Sequence, residues 1–405
     1  MQLELEHLRE RRKDLGISQE EVAEASGISR QFLSQIESGK KEPSEQVLER
    51  IENALRRYAP DRGLRILFDY VRIRFPTTDA EHIVENVLGI KSKYMIREGH
   101  AFYGYSWQYM LGDIAVMFSD NEQLGTLLEL HGKGCRQFET YLEAQNRSWF
   151  DFFVMAQGYK GIVKRIDIAI DDCVGWLDVA GLAEKCAHEE LISLFRSWRT
   201  YQSGAMIRAH EDAPELMGCT LYLGTMKSDI YFCIYEKNYE QYVKNGIPLE
   251  EAEVKNRFEI RLKNERAERV IDDLVTHEEE GVGYTAFAVV NHYVRFLRAE
   301  AGKEKREWKL DAGWESFMGA CQREIRLTAA PEPYTLERSL NWLTRQVAPT
   351  LKMVRQLDKA QGCEEDRIEK MIEQAKLGKN HQLVIKQQQL TAREIINANC
   401  MFQQQ

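Results

Sequence analysis

The stretch that decides the fold is residues 220–241, which read TLYLGTMKSDIYFCIYEKNYEQ. Apolar residues alternate on both sides of a Gly, Lys, Ser and Asp turn, which predicts two antiparallel strands joined as a hairpin. The second strand ends near Tyr235, and Lys237 follows two residues later. A tyrosine hydroxyl, with a pKa of about 10, is a poor nucleophile unless a cation or metal stabilises the phenolate. Tyr235 is thus either a nucleophile assisted by Lys237 or, more commonly for such a segment, a packed core aromatic.

The chain has 405 residues, of which 43% are hydrophobic and 29% are charged. This length and composition predict a soluble protein of two or three domains with a substantial core. No stretch approaches transmembrane length, and the first ten residues are charged and amphipathic, unlike a signal peptide. We therefore expect a cytoplasmic protein with no membrane insertion.

The eight cysteines are scattered, without the spacing of a disulfide framework or a zinc site. We expect them to be reduced and to contribute mainly to packing. The net charge of -9 argues against a protein that coats nucleic acid nonspecifically. It leaves room for local basic faces that contact phosphate.

Residues 1–60 have the pattern of a helix-turn-helix module. Ser18 precedes an apolar-periodic segment at residues 19–25, and Ser29 precedes a second one at residues 30–37. Serine is a preferred N-cap residue because its hydroxyl accepts a hydrogen bond from an unpaired amide of the first helical turn. Two helices separated by a tight turn are therefore predicted here.

The helix after Ser29 leaves polar and basic side chains outward, where they can contact base edges and phosphates if the helix enters the major groove. The predicted DNA-binding residues are Ser29, Arg30, Gln31, Ser34, Lys40 and Lys41. The pattern SQEEVAxxSGISxxxLSxIExGKxxP strongly resembles phage-repressor-like helix-turn-helix domains. A helical bundle without DNA binding is the alternative. A further helix to about residue 57 and a linker at residues 59–63 should follow.

Charged side chains share one face of each of two predicted strands in the larger part of the chain. Residues 163–172, VKRIDIAIDD, place Arg165, Asp167 and Asp171 on one side. Asp is a poor strand former, and hard divalent cations accept carboxylate oxygens, so the aspartates are compatible with a metal site. A salt-bridged strand end is the alternative.

The second such strand, residues 257–263, reads RFEIRLK and alternates basic residues around Glu259. This face suits phosphate contact around a metal ligand, although an exposed salt-bridged strand gives the same pattern. Elsewhere we predict strands at residues 68–75, 113–118 and 126–131, a helix at 78–87, and a long helix from a glycine-rich bend at 132–136 to about residue 155.

Five motifs occur in a fixed order along the chain. They are LHGKGCR at 130–136, RIDIAIDD at 165–172, LYLGxxxSD at 221–229, YEKxxE at 235–240 and RFEIRLK at 257–263. Together they resemble the replication-initiator and relaxase family of staphylococcal rolling-circle plasmids. The similarity is closest to the branch encoded by integrative conjugative elements and conjugative transposons, in which a repressor-like helix-turn-helix precedes the catalytic domain.

The resemblance implies a site- and strand-specific DNA relaxase that attacks a phosphodiester at an origin of transfer, keeps a 5'-phosphotyrosyl link and frees a 3'-OH. It implies Tyr235 as the nucleophile, with Tyr239 and Tyr242 as alternatives. The residues implied to contact the scissile phosphate are Arg136, Lys237 and Arg261. The implied metal ligands are Asp167, Glu259, Asp171 and Asp69. The implied cofactor is Mg²⁺ or Mn²⁺, and the implied partners are origin DNA, a helicase and accessory transfer proteins.

The predicted fold class is a multidomain protein. An all-α helix-turn-helix domain at residues 1–60 precedes an α+β catalytic domain on an antiparallel sheet at 64–300 and a helical C-terminal region at 301–405. Two alternative functions remain open at this point. One is a plasmid rolling-circle replication initiator, and the other is a helix-turn-helix transcription regulator that does not nick DNA.

Overall fold

A computed structural model of the chain describes residues 63–204, 216–277, 281–319, 340, 343–362 and 367–397. Of the N-terminal module it describes residues 8–9, 12–13, 18–26, 28–38, 40–41, 43, 47 and 51. Most of the predicted helix up to residue 57, and the predicted linker up to residue 62, lie outside the described residues.

The regular elements fall into thirteen strands and fourteen α-helices within the described residues. The strands are β1 Leu64–Phe75, β2 Ile96–Gly99, β3 Trp107–Leu111, β4 Ile114–Phe118, β5 Thr126–His131, β6 Ile162–Asp172, β7 Leu191–Ser193, β8 Trp198–Gly204, β9 Leu216–Leu223, β10 Ile230–Glu236, β11 Asn256–Lys263, β12 Val294–Arg298 and β13 Lys309–Leu310. The α-helices are α1 Gln19–Ser26, α2 Arg30–Glu37, α3 Ala80–Ile83, α4 Lys133–Ala144, α5 Trp149–Gly158, α6 Val179–Ala187, α7 Lys237–Asn245, α8 Asn264–Thr276, α9 Gly281–Tyr293, α10 Ala312–Gly319, α11 Ala348–Ala360, α12 Arg367–Gln374, α13 Lys379–Gln389 and α14 Ala392–Ile395.

The N-terminal module contains the two predicted helices, α1 and α2. Ser29 caps α2, because its side-chain oxygen accepts a hydrogen bond of 3.2 Å from the amide of Phe32. Val22, Leu33 and Ile36 are fully buried in a small core of this module. The predicted helix-turn-helix is therefore confirmed.

The larger part of the chain is built on one ten-stranded sheet with the order β2-β3-β4-β5-β1-β6-β11-β10-β9-β8. All neighbouring strands in it pair antiparallel. The hairpin predicted at residues 220–241 forms from β9 and β10, and Gly224 begins its turn with a φ of 87° that side chains rarely adopt. The predicted α+β fold on an antiparallel sheet is confirmed.

The two faces of the sheet differ in chemistry. One face is apolar and fully buried, and its central residues are Ile166, Ile168, Ile170, Phe232, Ile234, Phe258, Ile260 and Leu262. Residues of α8, α9 and α10 belong to the same core. The alternate positions of β6 and β11 carry the charged residues, so strand periodicity places the polar groups together on the opposite face.

The prediction of a single long helix up to residue 155 was wrong, because two helices form in its place. Helix α4 ends at Ala144, and Asn146 adopts a φ of 51°. Ser148 and Asp151 then make a capping box that begins α5. The helix expected at residues 78–87 begins at Ala80 and continues as a π-helix from Val84 to Leu88.

The C-terminal region is helical, as predicted, and its last described segment returns to the sheet domain. The amide of Lys91 donates to the carbonyl of Ile395 at 3.0 Å, and the amide of Asn397 donates to the carbonyl of Gly89 at 2.7 Å. Ile395 is 3% exposed and belongs to the same core as Trp314 of α10. None of the described helices is long and apolar enough to cross a membrane.

Candidate active site

Tyr235 lies at the end of β10, on the polar face of the sheet. The pairing of β10 with β11 sets Tyr235 opposite Arg257 and Cys233 opposite Glu259. The Tyr235 hydroxyl donates a hydrogen bond of 3.0 Å to Oε1 of Glu259, whose side chain is buried. Sheet register therefore brings together two residues that are 24 positions apart in the chain.

Glu259 shares its second oxygen with Arg261 two residues further along β11. Nη2 of Arg261 lies 2.6 Å from Oε2 of Glu259, and its Nε lies 3.8 Å from Oδ2 of Asp167 on β6. Asp167 also accepts two hydrogen bonds, of 2.9 and 2.6 Å, from the guanidinium of Arg165. Such forked contacts fix the geometry of the carboxylates.

Burial dominates the ionisation of this cluster. It raises the pKa of Tyr235 well above the ordinary tyrosine value, and the negative charge of Glu259 raises it further. The hydroxyl therefore stays protonated until a base removes its proton. Burial also raises the pKa of Asp167 to about 6, against the lowering effect of Arg165. Glu259, which accepts the hydroxyl hydrogen bond, is the base nearest to the tyrosine proton.

Lys237, on the first turn of α7, lies beside the tyrosine. Its ammonium group is 3.5 Å from the Tyr235 hydroxyl and also forms an ion pair with Glu240. Tyr239 lies on the same turn but in a different environment, where burial and then Glu236 raise its pKa. A Cβ atom on Gly218 would come within 2.9 Å of the Tyr239 Cβ, so the two backbones pack closely there.

A groove of about 1080 Å³ opens beside Tyr235, between the β8–β9 edge of the sheet and α7. Tyr235, Tyr242 and Arg261 line it, together with Tyr201 and Tyr222. The last two rings form an edge-on pair with centroids 5.7 Å apart. A pocket with aromatic walls and a cation near the hydroxyl suits a nucleotide, whose base stacks while its phosphate meets positive charge.

Two of the predicted metal ligands lie in a separate cluster around Arg257. Asp171 contacts this guanidinium through both oxygens, with Oδ2 3.0 Å from Nη2, and Asp69 lies 2.9 Å from Nη1. A β-bulge in β1 between Phe68 and Tyr70 contains Asp69. Bulges re-aim side chains, which explains how Asp69 reaches across β6 to Arg257 on β11.

Arg136 is buried, and its guanidinium contacts other groups of the protein. Nη2 donates to the carbonyl of Phe68 at 2.6 Å, and Nη1 lies 2.8 Å from Glu139. The geometry gives Arg136 a role in holding α4 against β1. Its predicted contact with the scissile phosphate stays a prediction.

As arranged, the predicted ligands do not fit a divalent cation. A guanidinium already contacts each of Asp167, Glu259 and Asp171, and Arg261 occupies the position between the first two. Within the described part of the chain, no three His, Cys, Asp or Glu residues converge to hold a metal ion. The requirement for Mg²⁺ or Mn²⁺ therefore stays a prediction, and no chemical step below depends on it.

Sequence reasoning missed the structural roles of Arg165 and Arg257. Both were recognised as basic residues on the correct faces, but the contacts of Arg257 with Asp171 and Asp69 depend on strand register and on the bulge at Asp69. Asp172, a neighbour of Asp171, accepts hydrogen bonds from the amides of Val174, Gly175 and Leu177. It fixes the turn after β6.

The predicted DNA-binding residues of α2 and the following turn are all exposed, namely Ser29, Arg30, Gln31, Ser34, Lys40 and Lys41. The Lys41 ammonium lies 5.2 Å from the centre of the Phe32 ring. Their outward placement agrees with the prediction, whereas contact with DNA stays a proposal.

Comparisons with known proteins bear on both parts of the chain. Residues 161–372 match the family of replication initiation factors, and residues 65–155 match the N-terminal domain of rolling circle replication initiation proteins. Residues 8–61 match a helix-turn-helix family. The chain belongs to the replication initiation factor family, which confirms the resemblance inferred from the five motifs.

Individual relatives agree with this assignment. The chain is 37% identical over 320 residues to the putative DNA relaxase NicK of Bacillus subtilis, covering 79% of this chain and 88% of that protein. The solved structure of a rolling circle replication initiator from Geobacillus stearothermophilus is similar with a TM-score of 0.56 and 25% identity, covering 66% of this chain and 99% of that one. An uncharacterised helix-turn-helix regulator of Methanothermobacter thermautotrophicus is 46% identical over 50 residues, which are 12% of this chain and 72% of that protein.

Proposed function

We propose that this protein is a DNA relaxase that nicks one strand at an origin of transfer, with Tyr235 as the nucleophile. The observation that carries the proposal is the hydrogen bond from the Tyr235 hydroxyl to Glu259, at the wall of a groove that can hold a nucleotide. The similarity to the putative relaxase NicK over most of the chain supports the same activity.

The chemistry is a transesterification in which bonds to phosphorus are exchanged. The Tyr235 oxygen forms a bond to the scissile phosphorus, while the bond from phosphorus to the 3'-oxygen of the preceding nucleotide breaks. Glu259 takes the hydroxyl proton as general base, and the departing 3'-oxygen takes a proton from water to become a 3'-OH. The phosphotyrosyl bond keeps the energy of the phosphodiester, so that resealing needs no nucleotide triphosphate.

Two cations flank the proposed nucleophile. Arg261 lines the groove and Lys237 approaches the hydroxyl, so both can stabilise the charge that develops on the phosphate. Arg261 has a second role, because its contact with Oε2 of Glu259 leaves Oε1 directed at the hydroxyl.

The test is covalent trapping of the protein on DNA. Tyr235→Phe should abolish the covalent adduct on supercoiled plasmids that carry candidate origins, because only the hydroxyl that becomes the phosphotyrosine is lost. Tyr239→Phe is the matched control and should retain the adduct, since the hydrogen bond to Glu259 is made by Tyr235, whereas Tyr239 packs beside Gly218. An adduct from Tyr235→Phe at wild-type yield, or its loss in Tyr239→Phe alone, would move the nucleophile to Tyr239.

We further propose that α2 recognises duplex DNA near the origin. Gln31→Ala should cost about 1–3 kcal/mol on the cognate duplex only, as expected for one lost base contact. Replacing Lys40 and Lys41 by Ala should instead weaken binding to every duplex and lower the log-log salt slope by roughly 0.9 for each lost phosphate contact. Titration of labelled duplex at several salt concentrations measures both effects. Unchanged affinity in all variants would remove α2 from origin recognition.

A second candidate function is initiation of rolling-circle replication of a plasmid. The structural similarity to a rolling circle replication initiator over 66% of this chain favours it. Both functions use the same nick, so they differ in the DNA that is processed. Maintenance of a plasmid carrying the cognate nick site, with this protein supplied in trans, would support initiation, whereas mobilisation of that plasmid into recipient cells would support relaxase function.

A further inference from the structure

Three cations lie side by side on the polar face, away from Tyr235. The sheet register sets Arg72 of β1 opposite Arg165 of β6, and Arg165 opposite Lys263 of β11. Like charges directly opposite each other in a sheet are destabilising. Burial and the proximity of Arg165 and Arg72 indeed lower the pKa of Lys263. The row is therefore destabilising to the extent that neighbouring anions do not neutralise it.

The acids around the row neutralise it unevenly. Asp167 is buried and holds Nε and Nη2 of Arg165, while Glu129 lies 3.9 Å from Nη1 of Arg72. Lys263 donates to the carbonyl of Met226 at 2.5 Å, and the negative charge of Asp229 acts to raise the pKa of Lys263. The two arginine side chains remain 21–22% exposed. Part of each arginine side chain thus stays accessible to solvent, although Asp167 is buried against Arg165.

Exposed aromatic side chains adjoin this row. The loop between β2 and β3 carries Phe102 and Tyr103, which are 69% and 54% exposed. The guanidinium of Arg72 lies 4.9 Å from the centre of the Tyr103 ring. The loop therefore places the Tyr103 ring next to the first cation of the row, and the Phe102 ring lies 6.4 Å from that of Tyr103.

The loop holds its aromatic residues in an unfavourable backbone conformation. His100 and Tyr103 have φ angles of 70° and 57°, in the left-handed region that non-glycine residues rarely adopt. The strain is held by a hydrogen bond from the His100 amide to Ser106 and by one of 2.9 Å from the Tyr105 hydroxyl to Leu124. Strained residues persist where the surrounding structure fixes them, and they concentrate at functional sites.

We propose that Arg72, Arg165 and Lys263 bind a backbone phosphate of single-stranded DNA, and that Phe102 and Tyr103 stack an unpaired base beside it. The row adjoins the Tyr235 cluster, because Asp167 contacts both Arg165 and Arg261. It would hold a part of the substrate strand outside the nick-site groove. This inference rests on the proposed action on DNA but not on Tyr235 as the nucleophile.

Single-stranded DNA fits these residues better than duplex DNA. Unpaired bases offer an open face to aromatic side chains, and a cationic groove follows the backbone irrespective of sequence. In duplex DNA the bases are stacked on each other, so Phe102 and Tyr103 would find no such face. Phe102 therefore separates the two possibilities.

The experiment measures binding of a labelled thymidine oligonucleotide of about 20 nucleotides to the full chain. Phe102→Ala should weaken binding about 5–100-fold, as expected for one lost stacking contact. Arg72→Gln should weaken it and reduce the log-log salt slope by about 0.7. Phe102→Ala should leave binding to a duplex unchanged. Phe102 is exposed, so its truncation leaves the core intact.

Matched controls come from helices that belong to the core of the opposite face. Arg269→Gln on α8 and Tyr284→Ala on α9 remove an exposed cation and an exposed aromatic ring, and both should keep wild-type affinity. Affinities of Phe102→Ala and Arg72→Gln within twofold of wild type would overturn the proposal. Equal weakening of duplex binding by Phe102→Ala would also overturn it in favour of a general DNA-contacting surface. Because binding is measured without cleavage, a failure of the Tyr235 assignment leaves this result interpretable.

Discussion

Two neighbouring acid–guanidinium clusters on the polar face use the same chemistry for different ends. Around Arg257, both carboxylates point at one guanidinium, whose side chain is 11% exposed. Around Arg261, which is 21% exposed, Glu259 divides its oxygens between the guanidinium and the Tyr235 hydroxyl. The first arrangement is closed on itself, whereas the second leaves one basic oxygen aimed at a group that can react. The comparison indicates that the direction of one oxygen, rather than the types of residue, distinguishes a structural ion pair from the one proposed to act in catalysis.

The largest expected effect comes from removing the basic oxygen. Glu259→Gln should lower the rate of nicking about 10²–10⁴-fold, because the amide cannot accept the hydroxyl proton as a base. Asp171→Asn, the equivalent change in the Arg257 cluster, should lower it far less. Single-turnover cleavage of an origin oligonucleotide measures both rates. Comparable losses in the two variants would remove the distinction between the clusters.

The reverse comparison concerns stability. Arg257→Met should lower the free energy of unfolding by about 3–5 kcal/mol, because Asp69 and Asp171 would lose the guanidinium that neutralises them. Arg261→Met should lower the free energy of unfolding less than Arg257→Met does, since its site is more exposed. It should lower the rate of nicking more. Urea denaturation of both variants, with the cleavage assay beside it, tests this inversion. A similar loss of stability in both would show that the two clusters are equally structural.

Arg136 and Glu139 form a further buried ion pair, for which we expect a pH-dependent contribution to stability. Burial raises the pKa of Glu139 from 4.5 to about 7 despite the nearby guanidinium. The folded protein therefore binds this proton more tightly than the unfolded chain, and stability falls as the pH rises through this range. We expect Glu139 to contribute a loss of about 3 kcal/mol between pH 4.5 and 7, at about 1.4 kcal/mol per pKa unit. Glu139→Gln should remove that contribution, as denaturation at several pH values would reveal.

The smallest expected effect concerns divalent cations. If the carboxylates of the Arg261 cluster do bind Mn²⁺ when DNA is absent, Asp167→Ala and Glu259→Ala should each weaken binding at least about tenfold. Asp171→Ala should not, because its partner Arg257 lies in the other cluster. Calorimetric titration with Mn²⁺ gives the affinities. Unchanged affinity in the first two variants would remove both residues from the set of metal ligands.

The sequence was sufficient wherever the signal was local. Alternation along residues 220–241 predicted the β9–β10 hairpin, and Ser29 marked the start of α2 because its capping requirement is set within one turn. Alternation likewise predicted the charged faces of β6 and β11. What it could not provide was register, which decides that Glu259 meets Tyr235 and that Arg257 meets Asp171.

Other elements were missed because their side chains are not patterned by burial. Strand β8 is exposed at all seven positions, so no apolar alternation marks it. Strand β2 alternates only between half-buried and exposed positions. Such edge strands form because a neighbouring strand offers backbone hydrogen bonds. The neighbours are β9 for β8 and β3 for β2, so the edge strands' own sequences do not reveal the pairing. The break between α4 and α5 depends on Asn146 adopting a left-handed conformation, which Asn tolerates but does not require.

The return of the chain at residues 395–397 to residues 89–91 makes the C-terminal helices part of a closed loop rather than a free tail. The loop begins after α10, whose Trp314 is in the core, and ends at the buried Ile395. Exposed apolar residues lie within it, including Met353 of α11 and Ile372 of α12. A molecule bound to these helices would be held at a high effective concentration near the sheet, since the segment that carries them is fixed at Trp314 and again at Ile395. A chain shortened by its last fifteen residues would lose the contacts of Ile395 and Asn397 with residues 89–91, and the hydrogen bond from Gln387 of α13 to the carbonyl of Tyr94 would then hold the end of these helices to the sheet domain.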